Sequence, residues 1–129
     1  MRKILFAVLL FISSSVYASE PSTLVFNLTE HEMVYANNSD IVRPIASITK
    51  LVTAMVALDH YNKSTHPTIM NMLVTSSNSA AEDLAKRYPG GRLKFINAMN
   101  IKVKDMGLIE TKFHDPSGLS VFNSSTAKE

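Results

Sequence analysis

The sequence predicts a mixed α and β chain in which one antiparallel hairpin precedes a series of helices. Two short strand-like runs, residues 23–28 and 33–36, flank a polar turn, which is typical of a hairpin. Apolar residues at helical spacing recur from residue 46 to residue 106. The 129 residues contain no internal repeat and no low-complexity tract, so they make at most one domain.

The first 18 residues have the order of a secretory signal peptide. Arg2 and Lys3 form a basic start, residues 4–12 are apolar, and residues 16–18 (VYA) offer a small-residue cleavage site. A transmembrane anchor is the alternative, but the apolar stretch falls short of the ~20 residues that a span needs. We therefore expect a signal peptide, residues 1–18, and an exported, periplasmic domain, residues 19–129.

The helical region divides at turn-forming residues. The predicted helices cover residues 46–61, 68–74, 80–88 and 93–106. A polar loop, residues 62–67, separates the first two helices, and Gly107 is placed to end the last one. The residues after Gly107 are rich in Ser, Thr, Asp and Gly and are predicted to be loop.

The composition excludes several classes of function. Without Arg2 and Lys3, 11 basic residues balance 11 acidic ones and no basic stripe remains, so no nucleic-acid partner is expected. The absence of cysteine excludes disulfides, thiolate metal ligands and a Cys nucleophile. The four histidines show no metal-binding spacing, so no metal site is expected.

The pattern most informative about chemistry is S-x-x-K at residues 47–50. Ser47 and Lys50 are three residues apart and therefore lie on one face of a helix. Residues 51–58 are apolar nearly all round, which favours burial of that helix. Burial lowers the pKa of a lysine, and a neutral amine beside a hydroxyl can act as its general base. The alternative is that Ser47 caps the helix and Lys50 extends into solvent.

A second polar triplet, residues 76–78 (SSN), interrupts the next apolar stretch. The Ser76 hydroxyl can pass a proton, and the Asn78 amide can hold a substrate carbonyl or the lysine. Serine and asparagine are also ordinary turn residues, so this triplet alone is weak. After S-x-x-K it is the second element expected of penicillin-recognising serine enzymes.

Five segments together carry a resemblance to a known family. They are residues 43–54, 78–85, 88–91, 95–100 and, as one segment, 114–120 followed by 123–127. The first, second and fifth resemble the nucleophile region, the second-motif helix and the following segment of the low-molecular-mass penicillin-binding proteins. These proteins are the D-alanyl-D-alanine peptidases of the S11 serine-peptidase family. The other two segments are most similar to its endopeptidase subgroup.

The resemblance implies an α/β (α+β) fold of the serine β-lactamase and DD-peptidase type, with a mostly antiparallel sheet flanked by helices. It implies acyl transfer on D-Ala-containing peptides of peptidoglycan, with no cofactor. Ser47 would attack the carbonyl and Lys50 would accept its proton. Ser76 would relay a proton to the leaving amine, and Asn78 would orient the substrate amide. The implied partners are peptidoglycan stem peptides and cross-links, β-lactams and, peripherally, the membrane.

Two departures from the family pattern favour a second hypothesis. The third family motif, K-T-G, is absent, and residues 63–65 (KST) are the nearest string. The connection from Asp59 to Ile69 is also shorter than usual for the family. The chain is therefore expected to be truncated at its C-terminus and trimmed internally, with slow acylation at best. The alternative to an active peptidase is a non-catalytic remnant or peptidoglycan-binding module.

Two other enzyme classes are disfavoured. His114, Asp115 and Ser117 suggest a Ser-His-Asp triad, but no G-x-S-x-G elbow supports it and an adjacent His-Asp pair cannot easily serve both roles. A class A β-lactamase is disfavoured because no deacylating glutamate motif stands out.

The signal peptide makes a prediction about the mature chain. Mass spectrometry of a periplasmic fraction should find a chain that begins at Ser19, because cleavage after Ala18 fits the small-residue rule. A full-length product in the cytoplasm would contradict export.

Overall fold

A computed structural model describes residues 20–129, so the predicted signal peptide lies outside the described residues. The elements in chain order are β1 (Thr23–Asn27), β2 (Glu32–Asn37), β3 (Arg43–Pro44), α1 (Thr49–His60), α2 (His66–Thr75), α3 (Asn78–Arg87), α4 (Gly91–Asp105) and β4 (Ser124–Ser125). The two sheets, β1–β2 and β3–β4, are both antiparallel. The predicted mixed class with antiparallel sheets is confirmed. Over residues 20–129, no helix combines the length and apolarity that crossing a membrane requires.

The predicted hairpin is confirmed. β1 and β2 pair along their length, with one irregularity after Val25. Asn27 Oδ1 accepts hydrogen bonds from the backbone N–H groups of Thr29 (3.0 Å) and Glu30 (3.2 Å). An asparagine that binds the backbone two residues on stabilises a turn, which explains where the hairpin reverses.

The helices form the core, with α1 in contact with α2, α3 and α4. One apolar cluster lies between α1, α2 and α3 and contains Ala54, Ala57, Ile69, Met72, Ala80, Ala81 and Leu84. A second cluster contains Val56, Ala85, Phe95, Met99, Val103 and Phe113. Because Phe113 follows the last helix, the C-terminal segment is part of the core.

α1 is buried on one side only, which corrects the expectation of a helix buried nearly all round. Leu51 and Leu58 are 58% and 53% exposed, whereas Thr49, Lys50 and Thr53 are at most 2% exposed. The described residues cover the polar side of this helix because other segments hydrogen-bond there. Leu51 and Leu58 stay at the surface.

All four helices start two or three residues away from the predicted positions, and the starts of α2 and α3 have clear local causes. The loop expected at residues 62–67 contains a 3-10 turn, Lys63–Thr65, and α2 begins directly after it with Pro67 in its first turn. Proline is tolerated there because the first N–H groups of a helix have no partner within it. α3 begins at Asn78 rather than residue 80, because Ser77 Oγ caps its backbone.

The predicted end of the last helix at Gly107 is confirmed. Gly107 has a left-handed φ of 82°. Its N–H donates to the Lys104 carbonyl oxygen, and the Leu108 N–H donates to the Val103 carbonyl oxygen, both at 2.9 Å. These two bonds form a Schellman motif, which satisfies carbonyls at the helix end and turns the chain back toward the core.

The tail, residues 108–129, corrects the prediction of a loop without secondary structure. Its strand β4 pairs with β3. The backbones of Lys112 and Ser124 exchange two hydrogen bonds of 2.9 and 3.0 Å, and the Ile45 N–H donates to the Asn123 carbonyl oxygen at 3.0 Å. The tail is thus joined to the segment that leads into α1.

Asn100 fastens the tail to α4. Its Oδ1 accepts a hydrogen bond from the Phe113 N–H (2.9 Å), and its Nδ2 donates to the carbonyl oxygens of Phe113 (2.9 Å) and Ile96 (3.0 Å). One side-chain amide therefore satisfies both backbone groups of Phe113, whose ring lies in the second cluster.

Replacing Asn100 tests this attachment. Asn100→Ala should lower the free energy of unfolding by about 2 kcal/mol, because both backbone groups of Phe113 lose their partner. Urea denaturation followed by circular dichroism measures the change. Asn97→Ala, at an exposed position of the same helix, is the control and should stay within about 0.5 kcal/mol of the unsubstituted chain. Equal effects of the two substitutions would contradict the role of Asn100.

Candidate active site

Ser47 and Lys50 face each other at the start of α1. Ser47 lies in a 3-10 turn, Ala46–Ile48, that leads directly into the helix. Lys50 Nζ donates a hydrogen bond of 3.0 Å to Ser47 Oγ. Ser47 is exposed, whereas Lys50 is 2% exposed. The lysine therefore does not extend into solvent, and its amine lies beneath an accessible hydroxyl.

Burial changes the protonation of the Lys50 amine. Its Nζ donates a second hydrogen bond, of 2.6 Å, to the Ser117 carbonyl oxygen. Burial lowers the pKa of Lys50 below its ordinary value of 10.5, and the negative charge of Asp115 opposes this shift without cancelling it. At neutral pH the neutral amine is therefore more populated than in an exposed lysine.

The junction between α2 and α3 brings a second hydroxyl to Ser47. α2 ends at Thr75, and the backbone of Ser76, which follows it, is left-handed, with φ 55° and ψ 35°. Ser76 Oγ donates a hydrogen bond of 3.1 Å to Ser47 Oγ. The helix break predicted at residues 76–78 is thus the turn that directs Ser76 toward Ser47.

Asn78, the first residue of α3, is not bonded to the other three. Its side chain is half-buried and makes no hydrogen bond within residues 20–129. The structure therefore joins Ser47, Lys50 and Ser76 by hydrogen bonds and leaves the Asn78 amide available to a ligand.

A loop of the tail, residues 115–120, closes the buried side of α1; it is called the Asp115 loop below. Thr53 Oγ1 donates a hydrogen bond of 2.7 Å to the Pro116 carbonyl oxygen. One turn earlier, Lys50 donates to the next carbonyl of the loop, that of Ser117. These contacts explain how a threonine and a lysine are buried on a helix. Neither Thr53 nor the carbonyl groups of Pro116 and Ser117 could be assigned to the site from the sequence.

Asn123 ties the Asp115 loop to α1. It is fully buried, and its Nδ2 donates to Thr49 Oγ1 (3.0 Å) and to the Asp115 carbonyl oxygen (2.9 Å). Its Oδ1 accepts from the N–H groups of His114 (2.7 Å) and Asp115 (3.2 Å). Both donor and both acceptor positions of this amide are therefore used.

The Asp115 carboxylate organises its loop from inside. Oδ1 accepts hydrogen bonds from the Ser117 N–H (2.6 Å), the Ser117 hydroxyl (2.8 Å) and the Gly118 N–H (2.6 Å), and Oδ2 accepts from the Ser120 N–H. Burial by itself raises the pKa of Asp115, but these hydrogen bonds outweigh it and the pKa is lowered. The carboxylate is thus ionised at neutral pH. An aspartate followed by Pro-Ser-Gly is typical of such a turn, but the pattern does not show where the turn packs.

Gly118 lets the Asp115 loop contact the turn that carries Ser47. A Cβ atom at Gly118, which has a φ of 87°, would lie 1.9 Å from the Ala46 carbonyl oxygen. No side chain fits at that distance. Ala46 itself has a left-handed φ of 44°, which is uncommon for a residue with a Cβ. The backbone just before Ser47 is therefore strained and braced by the tail.

His114, Asp115 and Ser117 do not form a triad. Ser117 is 1% exposed and its hydroxyl donates to Asp115. His114 is exposed, and its ring contacts Phe122. In the described part of the chain, no group of three or more His, Cys, Asp or Glu side chains is placed to hold a metal ion.

The chain is similar in sequence to known D-alanyl-D-alanine peptidases. The model of the Peptidase S11 family, D-alanyl-D-alanine carboxypeptidase, matches residues 64–129, just over half of the chain. The D-alanyl-D-alanine endopeptidase of Escherichia coli K12 is 38% identical, with 87% of this chain and 47% of that protein covered. Its counterpart in Pseudomonas aeruginosa is 35% identical, with 84% and 44% covered. The chain spans about half the length of the curated relatives it matches.

Solved structures share the fold. Penicillin-binding protein D2 of Listeria monocytogenes, in the ampicillin-bound form, matches with a TM-score of 0.72 and 27% identity over 83% of this chain and 56% of that chain. A D-alanyl-D-alanine carboxypeptidase of Mycobacterium tuberculosis matches with a TM-score of 0.72 and 23% identity, over 85% and 55%. The predicted DD-peptidase type of fold is confirmed.

The buried amine predicts a pH dependence of stability. The pKa of Lys50 is lower in the folded chain than the ordinary 10.5 of the unfolded chain. Between these two values the unfolded chain binds more protons, so the free energy of unfolding rises with pH across that interval. Lys50→Met removes this contribution. The substituted chain should be the more stable at pH 7, and the difference should shrink as the pH approaches 10.5.

Urea denaturation of both chains from pH 7 to pH 10 measures this difference. Lys104→Met, at an exposed position of α4, is the matched control for replacing a lysine by methionine. A stability difference between Lys50→Met and the unsubstituted chain that stays the same from pH 7 to pH 10 would contradict the lowered pKa.

Proposed function

Because the chain belongs to the S11 family of D-alanyl-D-alanine carboxypeptidases, we propose that it is a serine-type D-Ala-D-Ala peptidase. Its substrates would be the stem peptides and cross-links of peptidoglycan, and its intermediate an acyl ester on Ser47. The curated relatives in Escherichia coli and Pseudomonas aeruginosa are named endopeptidases. We therefore propose that the chain cleaves cross-links rather than removing a terminal D-Ala.

One observation carries this proposal, namely the position of an exposed hydroxyl between a buried amine and a second hydroxyl. Ser47 Oγ lies 3.0 Å from Lys50 Nζ and 3.1 Å from Ser76 Oγ. A serine hydroxyl is a weak nucleophile unless a neighbouring base takes its proton. Lys50 fits that role because burial lowers its pKa.

In the proposed first step, Ser47 Oγ forms a bond to the substrate carbonyl carbon. The Ser47 proton passes to the neutral amine of Lys50, which becomes an ammonium ion. The negative charge on the substrate oxygen needs hydrogen-bond donors. The backbone N–H of Ser47 is one candidate, since the first N–H groups of a helix lack partners within it.

In the second step, the bond between the carbonyl carbon and the D-Ala nitrogen breaks. The proton held by Lys50 reaches this leaving nitrogen through the Ser76 hydroxyl, which contacts Ser47. The Asn78 amide, which has no partner within the described part of the chain, binds the substrate backbone. Water then hydrolyses the ester and returns a proton to the Ser47 oxygen.

β-Lactams are a second class of ligand for the same site. The Listeria monocytogenes protein that shares this fold has been solved in ampicillin-bound and cefotaxime-bound forms. For this chain we propose that a β-lactam opens on Ser47 and stays attached as an ester. A fluorescent penicillin is therefore a suitable probe of the proposed nucleophile.

The location and surroundings of the activity follow from the proposed substrate. Peptidoglycan cross-links lie outside the cytoplasmic membrane, and the first 18 residues have the order of a signal peptide. We therefore propose that the chain acts in the periplasm, with peripheral contact to the membrane surface.

The second candidate function is that of a non-catalytic peptidoglycan-binding module. The residues given contain no K-T-G string, so a second donor from that motif is not among them. An acyl-transfer site is expected to use two donors for the substrate oxygen, and loss of one costs about 100- to 1000-fold in rate in a well-studied protease. The two candidates differ in whether Ser47 forms a covalent bond.

Labelling with a fluorescent penicillin separates the two functions. The chain should acquire a covalent label, slowly, and Ser47→Ala should abolish it because the attacking oxygen is gone. Lys50→Arg should abolish it too, because a guanidinium stays protonated and cannot accept the serine proton. Fluorescence after denaturing electrophoresis, at several incubation times, measures the label.

Lys104→Arg, the same change at an exposed lysine, is the matched control and should label as the unsubstituted chain does. Labelling that survives Ser47→Ala would exclude Ser47 as the nucleophile. An unlabelled chain that still binds peptidoglycan peptides would support the binding module instead.

A further inference from the structure

A buried carboxylate lies behind the Lys50 amine and has no part in the reaction described above. Asp115 is 6% exposed, and all its hydrogen-bond donors belong to its own loop. The atom that contacts Lys50 is instead the Ser117 carbonyl oxygen, at 2.6 Å. The Asp115 carboxylate therefore acts on the amine indirectly. It fixes the loop that carries the Ser117 carbonyl, and its negative charge acts on Lys50.

We propose that Asp115 is a positioning residue, which holds the Ser117 carbonyl against the Lys50 amine so that the amine's lone pair is directed at Ser47. This inference rests on the proposed function, in which Lys50 takes the proton of Ser47. It adds a residue that touches neither the substrate nor the reacting atoms.

The geometry of one peptide unit links the carboxylate to the amine. In a trans peptide the carbonyl and the following N–H point in opposite directions. The Gly118 N–H points at Asp115 Oδ1, at 2.6 Å. The carbonyl of the same unit, that of Ser117, must then point away from Asp115, and Lys50 Nζ lies on that side. Binding of the N–H by the carboxylate thus sets the direction of the carbonyl.

The direction of that carbonyl decides how the amine is oriented. A neutral amine has two N–H bonds and one lone pair. When the Ser117 carbonyl accepts one N–H, rotation about the Cε–Nζ bond of Lys50 is restricted. Ser47 Oγ, 3.0 Å away, can then meet the lone pair. Loss of such an orientation costs rate even where every reacting group remains.

The charge of Asp115 has a second effect that can be measured, a change in the pKa of Lys50. Asp115, on the tail, is the charge that acts on the Lys50 amine and raises its pKa against the effect of burial. Arg92, at the start of α4, acts on Asp115 but is itself paired with Glu82 of α3 at 2.8 Å. From the turn before α1, the Ser47 hydroxyl faces the Lys50 amine, and the Ser76 hydroxyl lies behind Ser47, 3.1 Å from its Oγ. Removing the Asp115 charge should therefore lower the pKa of Lys50.

Asp115→Asn is the variant that separates these effects from a loss of the loop. An asparagine can keep the acceptor at Oδ1, with its three donors, and loses the charge and the acceptor for the Ser120 N–H. Asp59→Asn is the matched control, because Asp59 lies on α1 and its side chain is 60% exposed. Urea denaturation of each variant gives the folded fraction.

The rate of labelling by a fluorescent penicillin, measured from pH 5 to pH 9, is the first readout. In Asp115→Asn the maximal rate should fall about 10- to 100-fold, and the acid limb of the profile should move to lower pH. Asp59→Asn should change neither. A fall in the labelled fraction alone, with rate constant and acid limb unchanged, would show that Asp115 only keeps the chain folded and would overturn the inference.

The titration of Lys50 itself is the second readout and does not need the reaction. Chains labelled with carbon-13 at lysine Cε report each lysine's protonation by NMR, and Lys50→Arg identifies the Lys50 signal. Lys50 should titrate at lower pH in Asp115→Asn than in the unsubstituted chain or in Asp59→Asn. Failure of all penicillin labelling would count against the proposed function, whereas an unmoved Lys50 titration would count against Asp115.

Asp115→Glu provides the check if the asparagine variant does not fold. It keeps the charge and moves the carboxylate by one methylene, so the maximal rate should fall while the acid limb stays close to that of the unsubstituted chain. A folded Asp115→Glu chain with an unchanged maximal rate would show that the position of the carboxylate is irrelevant and would overturn the inference.

Discussion

Burial of the Lys50 amine on α1 is the constraint on which the rest of the site depends. An ammonium ion removed from water costs several kcal/mol unless other groups replace the water. Here the replacement comes from Ser47 on the exposed side and from the Ser117 carbonyl on the buried side. The same helix face carries Thr49 and Thr53, each hydrogen-bonded to the tail. A polar face on the central helix thus requires a polar segment to cover it.

The covering segment is distant in sequence, so the helical core must bring it back. Lys50 and the Ser117 carbonyl are 67 residues apart, and Ser47 and Ser76 are 29 apart. Closing such loops costs conformational entropy that a few hydrogen bonds do not offset. The apolar clusters stabilise the arrangement, and the surface ion pair between Lys102 and Asp59 adds little.

The residues that could be predicted from the sequence are those whose relation is local. Three-residue spacing on a helix is enough to pair Ser47 with Lys50, and two ordinary turn residues mark the break at Ser76. Asp115 and Asn123 carry no periodicity. The partner of Asn123 on α1, Thr49, and the Lys50 amine behind which the Asp115 loop packs are both far away in sequence, so no local pattern shows these contacts. Burial around α1 was overestimated for the same reason, because hydropathy shows which residues are apolar and not which face another segment covers.

In the proposed acyl transfer, burial and the charge of Asp115 act on the pKa of Lys50 in opposite directions, and each favours the protonation state needed at a different step. Burial favours the neutral amine, which is the form that can take a proton. The ionised Asp115 favours the ammonium ion, which is the form that exists once the proton has left Ser47. A substrate bound at the exposed Ser47 excludes water from the site and strengthens both influences. A base is most effective when its pKa lies near the working pH. Burial moves the pKa of Lys50 down from 10.5 in that direction, and the charge of Asp115 limits how far it moves.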